Sequence, residues 1–286
     1  MKLFYTLFFL LLFLASCTDT KISPFEISSG YFSVYGALNT DSTLNHIRIK
    51  DVQTPLLSPV EEIETFSATL ENLQTNEVKP LEKEILIFNE NPTMNFIVDE
   101  VFQQRSSYKL TVTGTNGEIS TSIATTPGNT TLTLTPEVTE ECSEEILIEF
   151  DDVKDPEFIR FELGVRYERI MYYAEIKTVA PLEKVPGTDK VQVSLSITNM
   201  LVDLFPPEES RIGVPPRFWR PTIGCEDLDE KDMIIRYTHF GPEWKVLKDN
   251  NLAFDVLDSG DIENGLGFFG AIDRGELRFR TNGVPQ

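Results

Sequence analysis

Apolar and polar residues alternate along most of this chain with a period of two, the spacing that sends successive side chains to opposite faces of a β-strand. Phe32 and Val34, Ile47 and Ile49, and Phe66, Ala68 and Leu70 each sit two residues apart. The same pattern continues at Ile85 to Phe88, Phe96 to Val98, Tyr108, Leu110 and Val112, and Ile119 to Ile123. Turn-forming residues separate these runs at Asn39 to Asp41, Asn89 to Pro92 and Gly114-Thr115-Asn116-Gly117, where Asn-Gly supplies the positive φ of a tight hairpin. About seven or eight short strands in roughly a hundred residues predict a β-sandwich.

Thr125-Thr126-Pro127-Gly128-Asn129 interrupts the pattern, because proline and glycine break a strand ladder. Beyond it, Leu132 and Leu134, then Ile146 to Phe150, begin a second β-rich unit. From Phe158 to Thr178 the apolar set lies first on odd positions (Ile159, Phe161, Leu163, Val165) and then on even ones (Ile170, Tyr172, Ala174, Ile176). A one-residue shift swaps sheet faces, so one long strand with a bulge near Arg169 is expected, forming a hairpin with Val191 to Ile197. A short helix is expected at Asn199 to Phe205, and further strands at Met233 to Tyr237, Trp244 to Leu247, Leu252 to Val256, Leu266 to Phe269 and Leu277 to Phe279. The predicted fold is all-β: an immunoglobulin/transthyretin-like sandwich over residues 30–127, then a second β-rich domain with little helix over 128–286.

The first sixteen residues follow a different rule. Lys2 precedes an apolar run from Leu3 to Phe13, broken only by Thr6, which is too short to cross roughly 30 Å of hydrocarbon and has the form of a signal peptide. Leu14-Ala15-Ser16-Cys17 resembles the bacterial lipobox, which implies removal of residues 1–16 and diacylglycerol (and palmitate-type acylation) on Cys17. Two or more acyl chains anchor stably where one does not, so Cys17 is expected to hold the protein on a membrane. Residues 17–29, polar and interrupted by Pro24, read as a tether. The expected location is the outer membrane, facing the periplasm or the cell surface.

Composition narrows the partners. The formal net charge is -21, and losing residues 1–16 removes Lys2 and no acid, which takes it to -22. Such an excess of carboxylates excludes nucleic acid as the natural ligand and disfavours an anionic bilayer as a second contact. An oxidising compartment favours a Cys142–Cys225 disulfide; two separately buried thiols are the alternative. Neither the cysteine nor the histidine spacing matches a zinc pattern, so no metal or cofactor is expected.

Catalytic chemistry has no foothold in the sequence. His46 opens an alternating run with Arg48 and Lys50 on the solvent face, His239 lies within a strand, and no nucleophile elbow, zinc-protease helix or phosphate loop is present. Three acidic groups invite a calcium reading: Asp151, Asp152 and Asp155; Asp227, Asp229 and Asp232; and Asp258, Asp261, Glu263 and Asn264. None has EF-hand spacing, and solvated loops are expected instead. The proline-flanked segment Arg217-Phe218-Trp219-Arg220 has the residue types of a contact surface, and equally those of a cap over the core.

Tyr31-Phe32-Ser33-Val34-Tyr35-Gly36-Ala37-Leu38 and Asn264-Gly265-Leu266-Gly267-Phe268-Phe269-Gly270 together resemble a lipoprotein family of Bacteroidota and their relatives, known as domain of unknown function 4249. The resemblance implies an outer-membrane lipoprotein associated with a TonB-dependent transporter, serving nutrient uptake without catalysis. A surface structural protein or adhesin, with the sandwich as spacer, is the rival expectation; a carbohydrate-active enzyme is the third. In the closing motif, Gly265, Gly267 and Gly270 are expected to allow tight backbone while Leu266, Phe268 and Phe269 pack inward.

Overall fold

The computed structural model describes residues 30–52, 66–88, 91–135, 145–167, 169–175, 181–196, 198–199, 201, 232–245 and 262–280. The fold is all-β. The strands are β1 (Phe32–Asn39), β2 (Leu44–Asp51), β3 (Phe66–Asn72), β4 (Glu77–Pro80), β5 (Glu82–Phe88), β6 (Asn91–Asp99), β7 (Ser107–Gly114) and β8 (Ile119–Thr125). After residues 126–130 come β9 (Thr131–Thr135), β10 (Glu145–Asp151), β11 (Ile159–Tyr167), β12 (Ile170–Glu175), β13 (Glu183–Lys184), β14 (Lys190–Ser196), β15 (Asp232–Phe240) and β16 (Gly265–Arg280).

Three sheets carry these strands: an eight-stranded sheet in the order β12-β11-β15-β16-β1-β2-β6-β5, and two four-stranded sheets, β4-β3-β7-β8 and β13-β14-β10-β9. The first small sheet closes a core against the β1, β2 and β6 side, with Phe32, Ile47, Phe66, Phe96, Tyr108 and Phe269 at its centre. The second closes a separate core against β11 and β15, built from Ile148, Phe150, Phe161, Leu163, Val193 and Ile235. The result is two sandwiches side by side, sharing one continuous sheet.

Strand β16 joins them. Its first half pairs in parallel with β1, from Phe32 opposite Gly265 to Asn39 opposite Ile272. Its second half pairs antiparallel with β15, from Phe240 opposite Ile272 to Asp232 opposite Arg280. Residues 265–272, close to the far end of the chain, therefore complete the sandwich that residues 30–127 begin. The two strands expected at Leu266 to Phe269 and Leu277 to Phe279 are one, because the inward phase runs unbroken through Phe269, Ala271, Asp273 and Phe279, all buried. Gly267 is needed at the tight approach to β1: its φ is +102°, and a Cβ there would run into the Val34 carbonyl.

Several expectations are corrected. The phase switch around Arg169 is a hairpin turn between β11 and β12, not a bulge: Tyr167 faces Ile170, Val165 faces Tyr172, and Arg169 takes φ +66°. A tight reversal puts odd residues before it and even residues after it on one face, so periodicity alone cannot tell the two apart. Strand β14 pairs with β10 in the other sheet and not with the β11–β12 ribbon. Trp244 is in a helical turn, not in a strand, with its indole Nε1 donating to the Ala271 carbonyl at 2.9 Å. In β8 the two isoleucines point outward: Ser120, Ser122 and Ala124 are buried while Ile119 and Ile123 are 47% and 48% exposed. The inner face of β8 abuts the start of β16, where Ser120 Oγ donates to the Asn264 carbonyl at 2.7 Å, and larger side chains have no room.

Candidate functional site

The two faces of the shared sheet differ in chemistry. Inward, between the cores, lies a polar layer: Thr40 Oγ1 donates to Asp273 Oδ1 at 2.7 Å, Thr130 N donates to Asp273 Oδ2 at 3.3 Å, and Tyr237 OH donates to the Thr130 carbonyl at 2.6 Å. Thr130 Oγ1 and His239 Nδ1 share a hydrogen bond of 2.8 Å, and His239 is directly opposite Asp273 across the β15–β16 ladder. Burial, aided by the charge of Arg105, pulls the His239 pKa down to about 4. Burial pushes the Asp273 carboxyl above its ordinary range despite the hydrogen bonds of Thr40 and Thr130. The layer holds His239 neutral and closes off from solvent, which suits bracing better than proton transfer. Arg105, at φ +54°, adds an ion pair to Asp152, whose Oδ2 also accepts from Asn129 N at 2.9 Å.

Outward, the even-numbered residues of the same strands line a groove of about 590 Å³, formed by Arg160, Glu162, Arg236, Thr238, Phe240, Arg274 and Glu276 with Asp41 beside them. Ladder register fixes their order. Arg160 is opposite Thr238, and Thr238 is opposite Arg274; one step along, Glu162 is opposite Arg236, and Arg236 is opposite Glu276. The groove thus has a row reading Arg-Thr-Arg next to one reading Glu-Arg-Glu.

In the second row the charges compensate. Arg236 Nε donates to Glu276 Oε2 at 3.2 Å, and Arg278 reaches Glu276 Oε1 at 3.2 Å. Partial burial opposes ionisation of Glu276, but the bonds from Arg236 and Arg278 outweigh it and hold its pKa below the usual carboxylate range. The Arg236 guanidinium also stacks on Tyr173, 4.4 Å from the ring centroid. Tyr173 can lie there because Gly164, opposite it, has no side chain to meet the ring. In the first row Arg160 sits over Phe240 at 5.5 Å, and Phe240 is held by Trp244, whose ring centroid is 4.9 Å away. Arg274 is exposed and has no hydrogen bond or ion pair among the described residues.

Of the residues singled out from sequence as site candidates, none that is described lines the groove. Cys17, Cys142, Cys225 and the Arg217, Phe218, Trp219 and Arg220 segment fall outside the described residues. His46 is on the solvent side with its Nε2 3.5 Å from Glu84. Of the acidic loops, Asp151 pairs with Lys190 at 3.0 Å, Asp152 pairs with Arg105, and Asp155 Oδ1 accepts from Glu157 N at 2.9 Å. Those carboxylates serve the fold. Sequence reasoning misses the groove residues because Arg and Glu on the polar phase of a strand read as ordinary solvent-facing positions. The Arg-x-Glu-x-Arg spacing of Arg274, Glu276 and Arg278 is the one local signal.

No family model matches the sequence, and no curated protein matches it. Among solved structures the chain is similar to a pullulanase from Anoxybacillus sp. LM18-11, at 9% identity and TM-score 0.22, over 73% of this chain and 24% of that one. It is also similar to the FN1–FN3 domains of chicken CNTN1, at 10% identity and TM-score 0.22, over 86% of this chain and 65% of that one. The chain spans about a quarter of the first and just under two thirds of the second.

Proposed function

We propose that this chain is a lipid-anchored binding module of the bacterial outer membrane, acting as an accessory to a TonB-dependent transporter in nutrient uptake. The observation that carries the reading is Leu14-Ala15-Ser16-Cys17 at the end of an apolar leader. The shape of the protein is consistent with it. In sequence, residues 17–29 end two residues before β1, a central strand of the shared sheet, and a chain of thirteen residues can span at most roughly 45 Å. A groove on a rigid sheet suits capture of a solute, because the recognition groups are set by strand register and not by a loop.

The rival reading, an adhesin or spacer, is favoured by the same rigidity, since two sandwiches fused through one strand make a stiff unit. Mass spectrometry of the mature N-terminus, paired with affinity capture from detergent-solubilised membranes, separates the two. Acylated Cys17 together with a co-purified β-barrel transporter is the expected result. An unmodified cysteine defeats the anchor, and acylation with no transporter captured favours the spacer.

A further inference from the structure

We infer that the outward face of β1 and β2 rests on the bilayer that holds the Cys17 lipid, with Arg48 and Lys50 against anionic headgroups and Tyr31 and Tyr35 at headgroup depth; the inference rests on the lipid-anchored reading above and deepens it by giving the tethered body an orientation. Strand register assembles the patch. Arg48 is opposite Tyr35, and Lys50 is opposite Ser33. Tyr31, one residue before β1, is in step with Ser33 and Tyr35, and the two tyrosines are 43% and 37% exposed. At about 3.4 Å per residue the patch is roughly 13 Å long. Tyrosine has an apolar body and a polar tip, the combination that suits a membrane–water boundary.

The two cations are uncompensated. Arg48 is exposed, Lys50 is half-buried, and neither forms an ion pair among the described residues. Burial and the repulsion of Arg48 lower the Lys50 pKa, and Asp51 offsets only part of that; an anionic headgroup relieves the repulsion. His46, next on the same face, is 3.5 Å from Glu84. Glu82 and Glu84 are on β5, two strands from β2 and so roughly 10 Å away, and Asp99 is opposite Leu44 at the far end of β2. The formal net charge of -21 opposes an anionic surface overall. At physiological ionic strength, however, the Debye length is about 8 Å, so carboxylates beyond that distance are screened and the local pair decides. The position of the tether identifies the occupant. In sequence, residues 17–29 separate the lipid site from Gly30, so Tyr31 is the first large side chain of the described body, and the membrane is held at high local concentration beside it. The central strand of the groove, β15, is three strands from β2 in the same sheet. A sheet twist of roughly 20–25° per strand turns the groove by about 60–75°, which leaves it open beside the bilayer.

The test holds the mature chain on vesicles through a histidine tag placed before Thr18 and a nickel-chelating lipid, so its failure is separable from failure of the natural anchor. Hydroxyl-radical footprinting is read by mass spectrometry on vesicles of phosphatidylcholine alone or with phosphatidylglycerol. Phosphatidylglycerol is expected to lower the oxidation of Tyr31 and Tyr35 by about threefold or more, to leave the exposed Ile170 of the other sandwich unchanged, and to lose its effect in high salt. Arg48→Gln together with Lys50→Gln is expected to abolish the protection while the Ile170 footprint and the Tm stay as in wild type. Equal oxidation on both kinds of vesicle, protection that high salt does not reverse, or protection retained in the double variant would each overturn the assignment.

Discussion

Thr238 and His239 are consecutive on β15, and Asp273 and Arg274 are consecutive on β16, yet the members of each pair inhabit different dielectrics. The inward members, His239 and Asp273, are 6% exposed and are pushed toward their neutral forms. The outward members, Thr238 and Arg274, line the groove of the outer face. A strand alternates faces every residue, so a single sheet can brace two cores on one side and present charged recognition groups on the other. The cost of burying polar groups inside is met by Thr40 and Thr130, which satisfy Asp273 and His239. Outside, water does that work.

Four experiments test this contrast between the two faces. The largest effect is expected at Phe269, fully buried in the first core and carried on the shared strand. Phe269→Ala is expected to cost about 3–5 kcal/mol by urea denaturation, because a cavity opens where β16 closes the first sandwich.

Next is pH. His239 has a folded pKa of about 4 against an ordinary value of 6.5, so the unfolded chain binds a proton in that interval that the folded chain refuses. Stability is therefore intact above pH 6.5 and falls as pH drops toward 4, by up to about 3 kcal/mol. Asp273 acts with the opposite sign: its raised pKa lets the folded state hold a proton as pH rises from 3.8, which offsets part of the loss at the acid end. His239→Asn should flatten the stability–pH curve between 6.5 and 4; a curve as steep as wild type would show that His239 is not the titrating group.

Thr130→Val is expected to cost about 1–3 kcal/mol, since it leaves a buried imidazole nitrogen without its hydroxyl partner while preserving volume. Thermal unfolding at neutral pH measures it. The smallest effect belongs to the outer face: Glu276→Gln, at an exposed ion pair with Arg236 and Arg278, should change stability by less than about 1 kcal/mol. A larger loss would mean that the outer rows hold the sheet together, and the contrast between faces would fail.

Much of the sheet architecture is legible in the alternation of apolar and polar residues alone. Ile47 and Ile49, Leu110 and Val112, Ile148 and Phe150, and Leu163 and Val165 alternate in sequence and are buried in the cores. The pattern misleads where a strand's inner face meets a close-approaching strand: the serines of β8 point inward because β16 leaves no space. Strand β4, with all four residues exposed, has no apolar phase to detect. The groove is hidden from sequence for a different reason. Arg160, Thr238 and Arg274 are ordinary surface residues singly, and they become a row only when β11, β15 and β16 align.

The sequence specifies which residues alternate, where glycine and proline break the ladder, and the Leu-Ala-Ser-Cys motif at residues 14–17, because each of these is a property of neighbours along the chain. Tertiary packing sets the rest: β16 serves both sandwiches, the turn at Arg169 is a hairpin, and particular side chains meet across the outer face. Strand pairing joins residues more than a hundred positions apart, and its register is chosen by the packing of whole cores, which no local stretch of sequence encodes.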